Sequence, residues 1–147
     1  MDTAYKTTLE LDKVLARAVQ LCACQETKEM MQALEPAPTV EDERYDLAQT
    51  NAINALLIKN GSPRFGSVRE VRRIVAHARK GGILSMGELL EIAATLRNFS
   101  GLSQWYGLSE HEMLPTDDLF FALAPQPVLE KQISESILSP EEMADTA

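Results

Sequence analysis

The stretch from Asn60 to Glu91, NGSPRFGSVREVRRIVAHARKGGILSMGELLE, constrains the fold more than any other part of the chain. Gly61-Ser62-Pro63 is a stop, because glycine tolerates positive φ and proline cannot continue a helix. Val68, Val71, Ile74, Val75 and Ala78 then recur at helical spacing and give one apolar face. At about 100° per residue, Arg69, Arg72, Arg73, Arg79 and Lys80 fall together on the other side. Lys80-Gly81-Gly82 ends that helix with a cation in its last turn and glycines beyond it. Ser85 and Glu88 have capping-box spacing, with Leu84 and Leu89 placed as the hydrophobic staple. The stretch therefore predicts a helix, a turn and a second helix with well-marked edges.

The same signals recur on either side. Leu9, Leu11, Val14, Leu15, Ala18, Val19, Leu21 and Cys22 make an amphipathic helix from about residue 9, with a break near Cys24 and a short helix through Glu26–Met31. Pro36 and Pro38 end it, and Thr39 is the expected cap of a helix running from Val40 to about Lys59. Past Ser85, helical spacing continues to about Gly107. Asp117 and Asp118 open a short helix, Pro125 and Pro127 break it, and Val128–Leu138 reads as another. Ser139-Pro140-Glu141-Glu142 has the pattern of one more helix start. No run of alternating β-branched residues occurs, so the expected fold is all-α, an irregular bundle of about six helices in a single domain, 1–147.

Charge and cysteine usage narrow the function classes. The chain is −8 overall. Gly61–Gly82 holds six cations against one acid, a local +5 that leaves −13 elsewhere. A nucleic-acid module is usually basic overall, so any such contact is confined to a patch of Arg64, Arg69, Arg72, Arg73, Arg79 and Lys80. No apolar run reaches the roughly 18 residues of a membrane span, and no secretory leader opens the chain; a cytoplasmic protein is expected. Cys22 and Cys24 are the only cysteines. Read as part of a helix they point to different faces, so a mutual disulfide is not expected. With His77 and His111 isolated, no metal site is expected.

Catalytic patterns are missing from the sequence. There is no GxxxxGK[ST] phosphate loop, no nucleophile elbow and no HExxH, so neither catalytic nor cofactor-binding residues are assigned. Glu41-Asp42-Glu43 complements a helix dipole. Trp105 and Tyr106 read as core. Ser62–Gly66 either binds an anion through Arg64 or packs Phe65.

Taken in order, several pieces resemble the N-terminus of the second bacterial MutS family, the paralogue that lacks mismatch-reading domains and carries a C-terminal Smr nuclease. They are Thr8–Leu15, Leu34-Glu35-Pro36, Gly61-Ser62-Pro63, Phe65–Arg69, and Ala78–Ser85 leading into Glu88-Leu89-Leu90. Pro127, Leu129, Glu130 and Ile133 resemble the segment before the family's long core helices, and Met143–Ala147 its D-x-A-S start. Cys22-Ala23-Cys24, Leu102–Pro115 and Ile137–Pro140 depart from the pattern. The resemblance implies a parent protein that is a homodimeric ATPase and endonuclease acting on DNA or stalled ribosomes, with ATP and magnesium bound far downstream. It implies for this segment a non-catalytic role as part of a helical core, a lever coupling nucleotide state to the DNA-facing arms, with weak or no DNA binding alone. The alternative is a stand-alone helical adaptor that holds a protein partner on the basic face of residues 69–80.

Overall fold

The computed structural model describes residues 10–64, 69–108 and 110–144. Among them the chain forms seven helices: α1 (Leu11–Leu21), α2 (Gln25–Gln32), α3 (Val40–Asn60), α4 (Arg72–Arg79), α5 (Met86–Tyr106), α6 (Asp117–Phe121) and α7 (Pro127–Ser136). A minor hairpin, β1 (Ile137–Ser139) and β2 (Glu142–Met143), follows. The fold is all-α, with these seven helices where an irregular bundle of about six was expected. The chain divides into two compact units, Met1–Leu47 and Ala48–Ala147, the division falling within α3.

In the first unit α1 and α2 pack as a helical pair. The break expected near Cys24 is real: α1 stops at Leu21 and α2 begins at Gln25. Cys22 and Cys24 therefore lie in the link, with extended backbones, and not on a helix. The helical-face argument against their pairing does not apply to them. Thr39 caps α3 as expected. Its hydroxyl accepts from the Asp42 amide at 3.1 Å and donates to the Asp42 carboxylate at 2.7 Å, satisfying one of the unpaired donors of the first turn.

The second unit is organised along α5, which serves two small cores. Near its start, Ala93 packs with Ile133 and Ile137, and Met86, Leu89, Leu90 and Ile92 surround them. At its end, Trp105 and Tyr106 pack with Leu56, enclosed by Leu57, Leu114 and Phe120. The Tyr106 ring lies flat on Phe120, centroids 3.8 Å apart, and meets the His111 ring edge-on at 4.8 Å. Polar bonds lock the same corner. Trp105 Nε1 donates to the Gly61 carbonyl at 2.8 Å, and Asn60 Nδ2 donates to the Trp105 carbonyl at 3.1 Å. Gly61 can present that carbonyl because it turns at φ 73°. Tyr106 donates its hydroxyl to Asp117 Oδ1 at 2.7 Å and accepts from Thr116, 2.8 Å away, whose side chain is fully buried. The Leu114 amide donates to the other Asp117 oxygen at 3.2 Å.

The capping box of α5 forms as read. Ser85 Oγ accepts from the Glu88 amide at 3.3 Å, and Glu88 Oε2 accepts from the Ser85 amide at 2.8 Å. The Ser85 amide, and then the Ser85 hydroxyl at 2.8 Å, donate to Glu88 Oε2 and hold its carboxyl below its ordinary range. Ser100 and Gly101 leave α5 uninterrupted to Tyr106.

Two expectations fail. The helix after Pro63 begins at Arg72, so Arg69 and Glu70 precede it in non-helical chain; Phe65–Val68 lie outside the described residues. The expected start at Ser139-Pro140 is a reverse turn. The helix before it ends at Ser136, two residues sooner than read, and Ile137 pairs with Met143 while Ser139 pairs with Glu142. Ser at the first and Pro at the second position of a turn are as favourable as at a helix start. Burial of Ile137 against Ala93 decides between them, because its extended backbone carries the chain back along α5.

Two substitutions probe this frame. Ser85→Ala is expected to cost about 0.5–2 kcal/mol, read as a lower denaturation midpoint; an unchanged midpoint would mean the cap contributes nothing. Tyr106→Phe is expected to cost about 1–3 kcal/mol, since it leaves the buried Thr116 hydroxyl without its partner. It should also change the acid limb of the stability profile. Asp117 sits below its usual 3.8, first because Tyr106 donates to it, then through the Leu114 amide and His111. A carboxyl lowered by folding stabilises fully above its unfolded value, and that contribution fades as pH falls below it. The parent chain should lose stability below about pH 4 more steeply than the Phe variant; parallel acid limbs would refute the assignment.

Candidate interaction surface

The six cations read from the sequence do not form one helical stripe. Arg72, Arg73 and Arg79 lie on α4, Lys80 is its C-terminal cap residue, and Arg69 and Arg64 lie outside it. All six are exposed. Arg73 reaches Glu70 at 3.9 Å with its side chain 92% exposed, a pairing of little energetic weight. Arg72 is engaged within the chain. Arg69 borders a recess of about 300 Å³ with Gly87, Glu91 and Pro140.

The order of charges along α4 is unusual. Arg72 and Arg73 occupy its first turn, which has no side-chain cap, where the positive end of the helix dipole disfavours cations. Arg79 and His77 occupy the last turn, where the dipole favours them. A helix of eight residues is too short to be stable alone. Ile74, 8% exposed, anchors α4, and Gly81 at φ 82° closes it. The arrangement presents positive charge at both ends of a short helix. It can attract an anionic surface.

Elsewhere in the second unit the polar clusters are structural. Tyr106, Asp117 and His111 meet as an acid–base set would, with His111 Nε2 3.7 Å from Asp117 Oδ1. Burial pushes the Tyr106 hydroxyl up, however, so it stays a donor and is no base. A recess of about 530 Å³ between α3 and α6 is lined by Gln49, Thr50, Asn54 and Thr116 over Ile53 and Leu119, with no charged side chain. Among the described residues no three of His, Cys, Asp and Glu gather as metal ligands. The sequence has no phosphate loop for ATP and magnesium to occupy. No described helix is long and apolar enough to cross a membrane.

The polar joint between α3 and the Leu102–Pro115 region was not found by sequence reading. Gln49 Nε2 donates to the Pro115 carbonyl at 2.9 Å and Lys59 Nζ to the Glu110 carbonyl at 3.1 Å, pairs 66 and 51 residues apart. No local signal marks such partners. The aromatic pair Trp105-Tyr106 was the available clue that a core closes there.

Comparison with known proteins gives one consistent name. Over 149 residues the chain is 30% identical to the Endonuclease MutS2 of Ruminiclostridium cellulolyticum, covering all of this chain and 19% of that protein. It is 28% identical to Endonuclease MutS2 of Clostridium beijerinckii, covering 95% of this chain and 18% of the relative. The same identity holds for that of Lachnospira eligens, over the whole chain and 18% of the relative. No family model matches the chain, and no solved structure does. The chain spans about a fifth of the length of these curated relatives. Over its whole length the chain is a homologue of one region of Endonuclease MutS2, consistent with the N-terminal motifs quoted above.

Proposed function

We propose that this chain is a non-catalytic helical segment of a MutS2-like protein, corresponding to its N-terminal region and acting as a lever between other parts of the molecule. The observation that carries the reading is the match over the whole chain to about a fifth of longer proteins named endonucleases. Exposed apolar side chains support it further. Ile83 is 93% exposed, Met113 92% and Ile58 80%, surfaces that a larger body would cover. In this reading ATP, magnesium and the nuclease chemistry belong to the rest of that protein, which works as a homodimer on DNA or ribosomes.

The way α5 is held supports the lever role. One helix is fixed at its start by α7 and β1 and at its end by α3 and α6. A displacement imposed on either core is carried to the other through an uninterrupted rod. An antibody raised against the purified chain, used on lysate of the source cells, tests the parent reading. A band much heavier than the 147-residue chain is expected. A band of that length alone would overturn the reading in favour of a self-sufficient adaptor.

Duplex DNA provides the second test. The cations of α4 are few, and a net −13 outside residues 61–82 opposes approach of a polyanion. The isolated chain is expected to bind no tighter than about 10⁻⁴–10⁻⁶ M at physiological salt. Tight, salt-sensitive binding abolished by Arg72→Glu/Arg73→Glu would make α4 a nucleic-acid contact instead.

A further inference from the structure

Both cysteines of the chain sit in the link between α1 and α2, on either side of Ala23. Cys22 has φ −73° and ψ 132°, and Cys24 has φ −134° and ψ 163°, so each is extended. The rotation of about 100° per residue that separates near neighbours on a helix is absent here. Two trans peptide steps keep their Cα atoms within about 7.6 Å whatever Ala23 does. The chain bends at Ala23 and Cys24, which shortens that span toward the roughly 4.4–6.8 Å that disulfides bridge.

Neither thiol is locked away. Both residues are half-buried, within reach of a small reagent. Cys22 Sγ donates to the Ala18 carbonyl at 3.4 Å, and Cys24 Sγ lies 3.1 Å from Thr27 Oγ1. Sulfur is a weak donor and a weak acceptor, so each contact yields readily to rotation of its side chain. Two thiols are also too few to close a four-coordinate zinc site, and no third ligand gathers with them among the described residues.

We propose that Cys22 and Cys24 form a reversible redox switch, closing to an intramolecular disulfide by exchange with a low-molecular-weight disulfide of the oxidised-glutathione class. One cysteine, as thiolate, attacks the small disulfide and expels one small thiol, leaving a mixed disulfide. The other cysteine then attacks the protein-side sulfur of that bond and expels the second small thiol. The protein loses two protons and two electrons, and the reagent gains them as two thiols. A ring that spans a single intervening residue is strained, and strained, accessible disulfides are the labile ones. The bond therefore opens again when the small-thiol pool is reducing. Closure withdraws Cys24 from Thr27 in the first turn of α2 and ties together the link that joins the two helices. The proposal is independent of the family reading.

The test is intact-mass measurement of the full chain after equilibration in graded ratios of oxidised to reduced glutathione and acid quenching. The expected species has lost two hydrogens and carries no glutathione, and excess reduced glutathione restores the starting mass. Cys22→Ser and Cys24→Ser should each retain one glutathione, because the resolving thiol is gone. Amide exchange across Ala23–Thr27 should be slower in the oxidised chain than in the reduced one. Two retained glutathiones on the parent chain would overturn the proposal. So would a disulfide-linked dimer, or no change at a ratio that modifies the single variants. Equal exchange in both forms would remove the switch.

Discussion

The second unit depends on the hydroxyl of Tyr106. It is buried at the end of α5, and a buried hydroxyl without partners is costly. Asp117 and Thr116 satisfy it, and to reach it they must sit where α6 begins. That requirement sets the start of α6, holds Phe120 against the tyrosine ring, and gives the Leu114 amide a carboxylate to donate to. Trp105, one residue earlier, does the same for α3 by reaching the Gly61 carbonyl. Neighbouring side chains on one turn of helix thus orient two separate segments. Apolar burial supplies attraction here, while the hydrogen bonds select the arrangement.

Much of this was legible in the residues, and the failures share a cause. Ser85 with Glu88, Thr39 before an acidic turn, and the prolines at 36 and 38 each carry their information within about four positions. They form as read because a cap or break is satisfied locally. Ser139-Pro140 is equally local but ambiguous, and a distant contact, Ile137 on Ala93, resolves it. The basic stripe was misread for a related reason. Helical spacing can be counted through any residues, but α4 begins at Arg72 and leaves Arg69 outside. Cys22 and Cys24 were judged by a helical rule in a place where the helix had already ended.

Function was less legible because the sequence shows none of the catalytic motifs that name a reaction. A catalytic site announces itself through residue types whose spacing has no packing explanation. Here almost every polar cluster has one: Tyr106 with Asp117 holds a corner, Glu88 caps a helix, and Arg97 bridges α5 to α7 through Glu130 and Ser134. What remains is a short helix, α4, with cations at its uncapped end. Such a feature says that something anionic is welcome and does not say what. The family was legible only through the ordered set of small motifs along the chain.

The joint between α3 and the far end of α5 has a consequence for how the second unit forms. Its hydrogen bonds connect residues 44, 45, 51 and 66 positions apart. The capping box at Ser85 closes over three. Helical turns of the second kind assemble among neighbours within about a microsecond. Contacts of the first kind must first bring together the ends of a long loop, and the entropy of closing it is lost before any bond is gained. The docking of α3 is thus the late, topology-limited step of folding. Docking of α3 completes the cover of Trp105 by Leu56 and the Gly61 carbonyl, which makes the chain's single tryptophan a natural clock for that step.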